Sequence, residues 1–442
     1  MYTSLIGKQF LELYNKTSKK KKLSVKEYFD KKHFSLFYDH PKYLQSPANT
    51  PLFQVIARKK TKSQSARSKA FNEIVEKIDS FSAANDSLPD MSFALGYPSA
   101  DLLGTTSGQV TSLSLPFDAD DMYASWIGAG FGIGIAGGLN ILLDTPQVLN
   151  AVAEGWNLYR EYVDENKGIE NKVETWNGVW LTHRLDEKFR PKSPTANFQP
   201  ISPSKEGGAK MERPSWTSVL FALARTFPGQ TLNAYVYSFG QMNRTIGFVR
   251  FALPEVQKLS EFYVALFGKN KLLSNKNLSE IYESEYGFSV ACERFSMIGM
   301  RSFEPKDLRK FMPGRSDSGE LPKFKTDEKS ITNYSIYITW VVAMLDNKSL
   351  LELAEKAATM LQTYTKTSDR GKTGRPHLVK ELLGSRTRKG LIDALAQVVE
   401  DDPTTADVSN NLVHAVMIDI PADNVPLFVT LMRFKYGMPA SK

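Results

Sequence analysis

Residues 128–138 read Gly-Ala-Gly-Phe-Gly-Ile-Gly-Ile-Ala-Gly-Gly, and an apolar run that places glycine at alternate positions can be housed in few ways. As part of a sheet it leaves one strand face bare, so that a helix or another backbone can approach closely. Its other reading is a phosphate-binding turn, because Gly132, Gly134 and Gly137 match the G-x-G-x-x-G spacing of dinucleotide sites. That fingerprint needs a strand before it, a helix opening at it and an acid about 20 residues later. Here Leu139 to Leu143 has strand character and Asp144 comes too soon. The packing reading is preferred, and a nucleotide-binding enzyme using segment 128–138 stays as the alternative.

Around this run the texture of the chain changes twice. Residues 1–90 are basic and predict short helices, through Leu5, Phe10, Leu13 and Tyr14, then Val25, Tyr28, Phe29 and His33, then Ala70, Ile74, Val75 and Ile78 at helical spacing. Residues 91–345 mix glycine, β-branched residues and aromatics. Gln109 to Leu115 alternates, and Leu232 to Phe239 with Thr245 to Leu253 predicts a hairpin. Tyr334 to Met344 (YSIYITWVVAM) predicts a buried strand, and Gln147 to Val163 and Glu255 to Phe267 predict helices. Five prolines and few apolar residues make 190–215 an exposed linker or long loop. From 346 to 442 the strand signal stops and five short amphipathic helices predict a bundle. The expected class is α+β: a mixed α/β N-terminal and central region followed by an all-α C-terminal bundle.

Charge is distributed as unevenly as texture. The 442 residues carry a formal +8, but three segments hold far more than that. Residues 16–32 have eight lysines, among them Lys19, Lys20, Lys21 and Lys22, against Glu27 and Asp30. Residues 58–69 hold Arg58, Lys59, Lys60, Lys62, Arg67 and Lys69 with no acid. Residues 366–389 hold Arg370, Lys372, Arg375, Arg386, Arg388 and Lys389 among eight cations against two acids. Each segment is therefore +6, and the remaining chain is acidic. Lysine and arginine gathered on an acidic body suit a polyanion gripped at chosen places, since phosphate contacts supply most non-specific affinity for nucleic acid. Interleaved Ser, Thr and Gly, as in Thr61 to Ser65 and Lys372 to Arg375, add further donors to phosphate. A solvated lysine-rich surface is the plainer reading of any one cluster.

Bond-breaking chemistry finds little footing. The single cysteine, Cys292, in an apolar run, is expected as a buried thiol. It fits a reducing cytosol and leaves no disulfide framework. The five histidines form no metal-ligand spacing, so no catalytic residue, metal or cofactor is expected. Asp118, Asp120 and Asp121 are expected to cap a helix. Trp176 and Trp180, four apart within Glu174 to Arg184, could stack on bases but are expected as a core-facing helical pair. No run of about 18 apolar residues suggests a membrane span, and the chain is expected in the cytoplasm.

The order of parts, with stretches such as TSLIGKQFLELYNK, TTSGQVTSLSLP, ETWNGVWLTHR and LVKELLGSRTRKGLIDAL, resembles the large subunit of a type I CRISPR Cascade effector. The resemblance implies a non-enzymatic role. The N-terminal portion would help recognise a short protospacer-adjacent motif on double-stranded DNA. The C-terminal bundle, like the complex's small subunit, would hold displaced single-stranded DNA. It also implies guide RNA and other Cascade subunits as partners, and a recruited nuclease or transposition factor. Candidates for motif reading on loops are Asn49, Gln54, Gln109 and Lys62.

Overall fold

The computed structural model describes residues 1–18, 21–42, 44–46, 64–83, 94–97, 110, 118–166, 172–203, 209–238, 244–268, 278–314, 321, 327–366 and 374–437, and their class is α+β. Two units form, 1–251 with 288–297, and 252–287 with 298–442. The expected divisions after residues 90 and 345 fall inside the first and second unit respectively.

In the first unit, helix α1 (Tyr2–Thr17) buries Thr3, Ser4, Ile6, Gly7, Phe10 and Leu11. Leu5, expected on the apolar stripe, is 51% exposed. That face carries the small residues Thr3, Ser4 and Gly7 where α1 lies directly against the backbone of the capped helix that starts at residue 119. Between them run α2 (Val25–Tyr28), a π-turn (Phe29–His33), α3 (Phe34–Phe37) and α4 (Gln64–Ala83). They precede that capped helix, α5 (Ala119–Ala129). As expected, Asp118 and Asp121 form the reciprocal capping box of α5. A Cβ on Gly7 would come 2.0 Å from the Ala124 carbonyl oxygen, and one on Gly128 1.9 Å from that of Thr3. The Ser4 hydroxyl closes the crossing by donating to the Asp121 carbonyl at 2.7 Å.

The glycine run then turns into a hairpin. Strands β1 (Ile133–Gly134) and β2 (Asn140–Leu143) pair antiparallel. Gly137 and Gly138 make the turn at φ +96° and +85°, a region open mainly to glycine. Further on come α6 (Pro146–Glu154), α7 (Trp156–Glu165) and α8 (Val173–Arg184). The helix expected over 147–163 is thus broken at Gly155, where a Cβ would meet the Trp180 ring at 2.5 Å. From α8, buried Asn177 donates to the carbonyls of Gly130 (2.8 Å) and Gly132 (2.9 Å) and accepts from Trp156 Nε1. It thereby satisfies the backbone groups that the irregular turn exposes.

The segment expected as an exposed linker is only partly so. A two-stranded ribbon, β3 (Ser202–Pro203) with β4 (Ala209–Lys210), interrupts it. Phe198 is buried edge-on to Trp176 and Trp180. Helix α9 (Trp216–Thr226) leads to β5 (Thr231–Ser238) and β6 (Arg244–Ala252), the two expected hairpin strands. With β7 (Met297–Ile298) they complete a sheet of order β1-β2-β5-β6-β7. Beneath lies an aromatic core in which Phe10, Phe131 and Trp156 meet at centroid distances of 4.5–5.8 Å. His33 is fully buried there, stacked on Phe29 and edge-on to Phe37.

In the second unit, a short helix (Leu278–Ile281) and two 3-10 turns (Met300–Phe303, Leu308–Phe311) lie between α10 (Leu253–Phe267) and the long α11 (Glu328–Leu345). Helix α11 corrects the strand expected over Tyr334 to Met344. Nearly every residue from Thr332 to Leu345 is buried, so no polar face marks a 3.6-residue period, and a continuous apolar run does not by itself separate strand from buried helix. The helical signal lay outside the run, in Asp327, whose side chain accepts from the Ser330 amide. The five C-terminal helices appear as expected: α12 (Ser349–Lys366), α13 (Arg375–Leu383), α14 (Arg388–Asp401), α15 (Ala406–His414) and α16 (Val425–Gly437).

The packing of the first unit has measurable consequences. Gly128→Ala drives a methyl group into backbone and is expected to destabilise by more than the roughly 1–3 kcal/mol of ordinary overpacking. Gly137→Ala, strained in φ but in open space, is expected to cost about 1 kcal/mol; urea unfolding followed by tryptophan fluorescence ranks the two. Burial holds the His33 pKa down at about 3, with Gln45 pulling weakly upward, against 6.5 for the free side chain. The folded state therefore keeps His33 neutral where the unfolded chain protonates, so this stability is complete above pH 6.5 and lost as pH falls towards 3. Between pH 7 and 4.5 the wild type is expected to lose about 2–3 kcal/mol more than His33→Phe, and equal losses would refute it.

Candidate nucleic-acid interface

The basic segments divide on how the fold uses each side chain. Lys19, Lys20, Arg58, Lys59, Lys60, Lys62, Arg370 and Lys372 lie outside the described residues, as do Asn49, Gln54 and Gln109. Among those described, two expected contact residues are committed to the interior. Arg67 is 8% exposed and pairs with Asp39, Nε to Oδ1 at 3.0 Å. Arg375 is 6% exposed and pairs with Asp401 at 2.7 Å and Asp402 at 3.6 Å. It also donates to the Tyr364 carbonyl and lies 4.4 Å above the Tyr364 ring. A planar fork of donors suits such multiple contacts, and in this place the guanidinium ties α12, α13 and α14 together. Neither arginine presents its charge to a ligand.

Lys21 and Lys22 are exposed, just before a residue that α1 holds. The Asn15 side chain donates to the Leu23 carbonyl at 2.9 Å and accepts from the Leu23 amide at 3.0 Å, which clips the end of α1 to the start of α2. Ser24 and Glu27 cap α2 with a reciprocal box. The Ser24 amide and Lys31 hold the Glu27 carboxyl down at about 2. Lys16 in the last turn of α1 and Lys21 and Lys22 before α2 are exposed, as are Lys31 and Lys32 on the π-turn that follows.

The C-terminal cluster is the more informative. Thr387 caps α14 by accepting from the Gly390 amide. Arg388 and Lys389 occupy the first two helical positions, Arg386 precedes the cap, and the first turn contains no acid. A helix N-terminus carries partial positive charge, so each cation there costs about 0.3–1 kcal/mol where an acid would stabilise. Arg388 is half-buried and donates to the Ile420 carbonyl, which gives it a structural role. Arg386 and Lys389 are exposed. Lys389 reaches only Asp393, at 3.9 Å, and among the described residues Arg386 has no ion pair. Two exposed cations therefore stand at the N-terminal end of α14.

Other sequence candidates resolve into packing. Gly132 and Gly134 admit the Tyr237 hydroxyl and the Glu174 carbonyl, which a Cβ would meet at 2.5 and 2.6 Å. The glycine run follows a helix and forms a hairpin, the reverse of a dinucleotide fold. Trp176 and Trp180 are buried and stacked, 6.2 Å apart at 7°. Burial pushes the Cys292 thiol up to about 12, so it is a poor nucleophile at neutral pH. Among the described residues no group of three or more His, Cys, Asp or Glu side chains is placed to hold a metal, and no helix is long and apolar enough to cross a membrane.

One surface escaped the sequence reading. On β6, Val249 and Phe251 point inward while Phe248 and Arg250 point to solvent. The outward pair, with Tyr2 and Asn233, lines a cleft of about 880 Å³. The signal was present in the alternation of β6, but a lone exposed Phe carries no meaning until neighbouring strands and α1 bring other aromatics beside it.

No family model, curated protein or solved structure matches this chain.

The division of labour among the arginines predicts opposite effects from like substitutions. Arg375→Ala removes a buried ion-paired group and is expected to cost about 3–5 kcal/mol of stability in the second unit. Arg386→Ala is expected to change stability by less than about 0.5 kcal/mol, as surface substitutions do. Chemical denaturation of both variants checks this, and similar losses would show that Arg386 too is structural.

Proposed function

We propose that this chain is a non-enzymatic nucleic-acid-binding subunit of an RNA-guided DNA surveillance complex, of the kind its sequence resembles, the large subunit of type I Cascade. The observation that carries the reading is the start of α14, where Arg386 and Lys389 stand exposed at a helix end that elementary electrostatics would give to acids. A local cost to helix stability is explained if the group that completes the site is an external phosphate. In this reading the C-terminal bundle holds displaced single-stranded DNA. The clipped lysine loop after α1 contributes backbone contacts beside the double-stranded DNA whose short adjacent motif the N-terminal region reads. Guide RNA, the other subunits and a recruited nuclease or transposition factor are its partners, and the cytoplasm is its location.

The test uses the full chain and a single-stranded oligonucleotide of mixed sequence, titrated by fluorescence anisotropy at several salt concentrations. Each phosphate contact on single-stranded DNA contributes about 0.7 to the slope of log affinity against log salt. The double variant Arg386→Gln/Lys389→Gln is expected to lower that slope by about 1.4 with stability unchanged. An unaltered slope would reject the α14 site. Co-expression with a guide RNA and candidate backbone subunits tests the assembly, and a chain that purifies free of both would count against it.

A further inference from the structure

The cleft above the sheet has a composition that neither α14 nor the basic loops explain. Phe248 is 65% exposed on β6, where a polar residue would satisfy an ordinary sheet surface. It is not isolated: its ring lies 5.0 Å from Tyr2 in an edge-to-face arrangement and 5.3 Å from Tyr235 of β5, while Tyr2 and Tyr235 are 5.5 Å apart. Three rings from α1, β5 and β6 therefore form one aromatic patch, of which Phe248 is the exposed member. Arg250, exposed two residues along the same strand, shares this outward face. The exposed Asn233 and Asp144 line the same cleft. Tyr2 also has a backbone hydrogen bond with Asp144, and burial pushes its phenol up to about 12, so at neutral pH it remains an uncharged hydroxyl.

We propose that this patch is a platform for unpaired nucleotides, on which a base stacks against Phe248, whose ring Tyr2 and Tyr235 brace, Arg250 takes the adjoining phosphate, and Asn233 and Asp144 meet the base edge. Each component has its physical reason. Every base offers a π-face, and stacking on exposed aromatics is the common basis of single-strand recognition on sheets. A guanidinium binds phosphate oxygens in a fork and remains charged at any physiological pH. A side-chain amide both donates and accepts at a base edge, whereas a carboxyl oxygen accepts from exocyclic amino groups and repels phosphate. With both groups lining the cleft, a nucleotide would be oriented with its base towards Asp144 and its backbone towards Arg250. A peptide or a lipid surface would leave the combination of an exposed ring with one cation, one acid and one amide unexplained.

This inference rests on the nucleic-acid reading above, and the experiment separates the two. All six tryptophans, at positions 126, 156, 176, 180, 216 and 340, are at most 5% exposed, so Phe248→Trp installs a solvent-exposed reporter whose emission stands to the red of the rest. The full-length variant is titrated with oligo(dC) and oligo(C) of six nucleotides, whose bases carry the amino group that Asp144 would accept from, the two arms distinguishing DNA from RNA. Saturable quenching of the exposed reporter in either arm is expected. In anisotropy, Phe248→Ala and Arg250→Ala are each expected to weaken binding of that oligonucleotide about tenfold, the ring with little change in salt slope and the arginine with a lower one. Phe248 is exposed, so its loss leaves the fold intact. If the wild type binds oligonucleotides while the reporter in Phe248→Trp stays unquenched and Phe248→Ala binds equally well, the platform is overturned and the α14 reading stands. If neither oligonucleotide binds at all, both fall.

Discussion

The crossing of α1 and α5 is the constraint on which the rest of the first unit depends. Two glycines, Gly7 and Gly128, let the helices touch backbone to backbone, at separations where a methyl group would overlap a carbonyl oxygen by more than an ångström. That approach sets the height of α1 over the sheet, since α5 runs within a few residues into the hairpin of β1 and β2. It also sets what α1 can carry. Its buried face must be small near the crossing, at Thr3, Ser4 and Gly7, and becomes aromatic only one turn later, at Phe10. Tyr2, at the near end, is thereby delivered beside Tyr235 and Phe248.

The glycine run downstream serves the same purpose by other means. Gly128, Gly130, Gly132 and Gly134 each face something specific: Thr3, His33 with Gln45, Tyr237, and the Glu174 carbonyl. Irregular backbone buried this deeply needs polar partners of its own, and Asn177 supplies them through two donated hydrogen bonds. The stretch Glu174 to Arg184, which by composition looks equipped to meet nucleic acid, is therefore an internal brace. Its tryptophans fill the core, its asparagine holds the turn and its glycine, Gly178, admits the Gly134 carbonyl.

How much of this was legible in the sequence depended on whether the signal was local. Hairpin strands, capping boxes and the five C-terminal helices were, because periodicity and cap residues act over a few positions. The α1 face was misread at Leu5 because hydrophobicity ranks Thr, Ser and Gly low, although contact distance and not apolarity decides that face. Helix α11 was misread because complete burial erases the polar side that distinguishes periods. Charge was legible in amount but not in use. Arg67 and Arg375 are indistinguishable in sequence from Arg386, and only the acids folded against them, Asp39, Asp401 and Asp402, show which cations are already committed.

The two proposed surfaces differ in the physics they bring, and that difference bears on specificity. Cations at a helix end grip phosphate, are screened by salt and carry no sequence information. Stacking on Phe248 is insensitive to salt yet tolerant of any base, because it uses a face that all bases share. Discrimination between bases requires groups that address edges, and on the sheet surface these are Asn233 and Asp144. A carboxyl group that only accepts favours bases presenting an amino group and leaves thymine or uracil, whose outer edges present carbonyl acceptors, with a mismatched oxygen. If the proposed platform binds a strand, the sheet cleft is the place among the described residues where affinity turns into preference for what is written on it, and the sign of that preference is set by Asp144 at the end of β2.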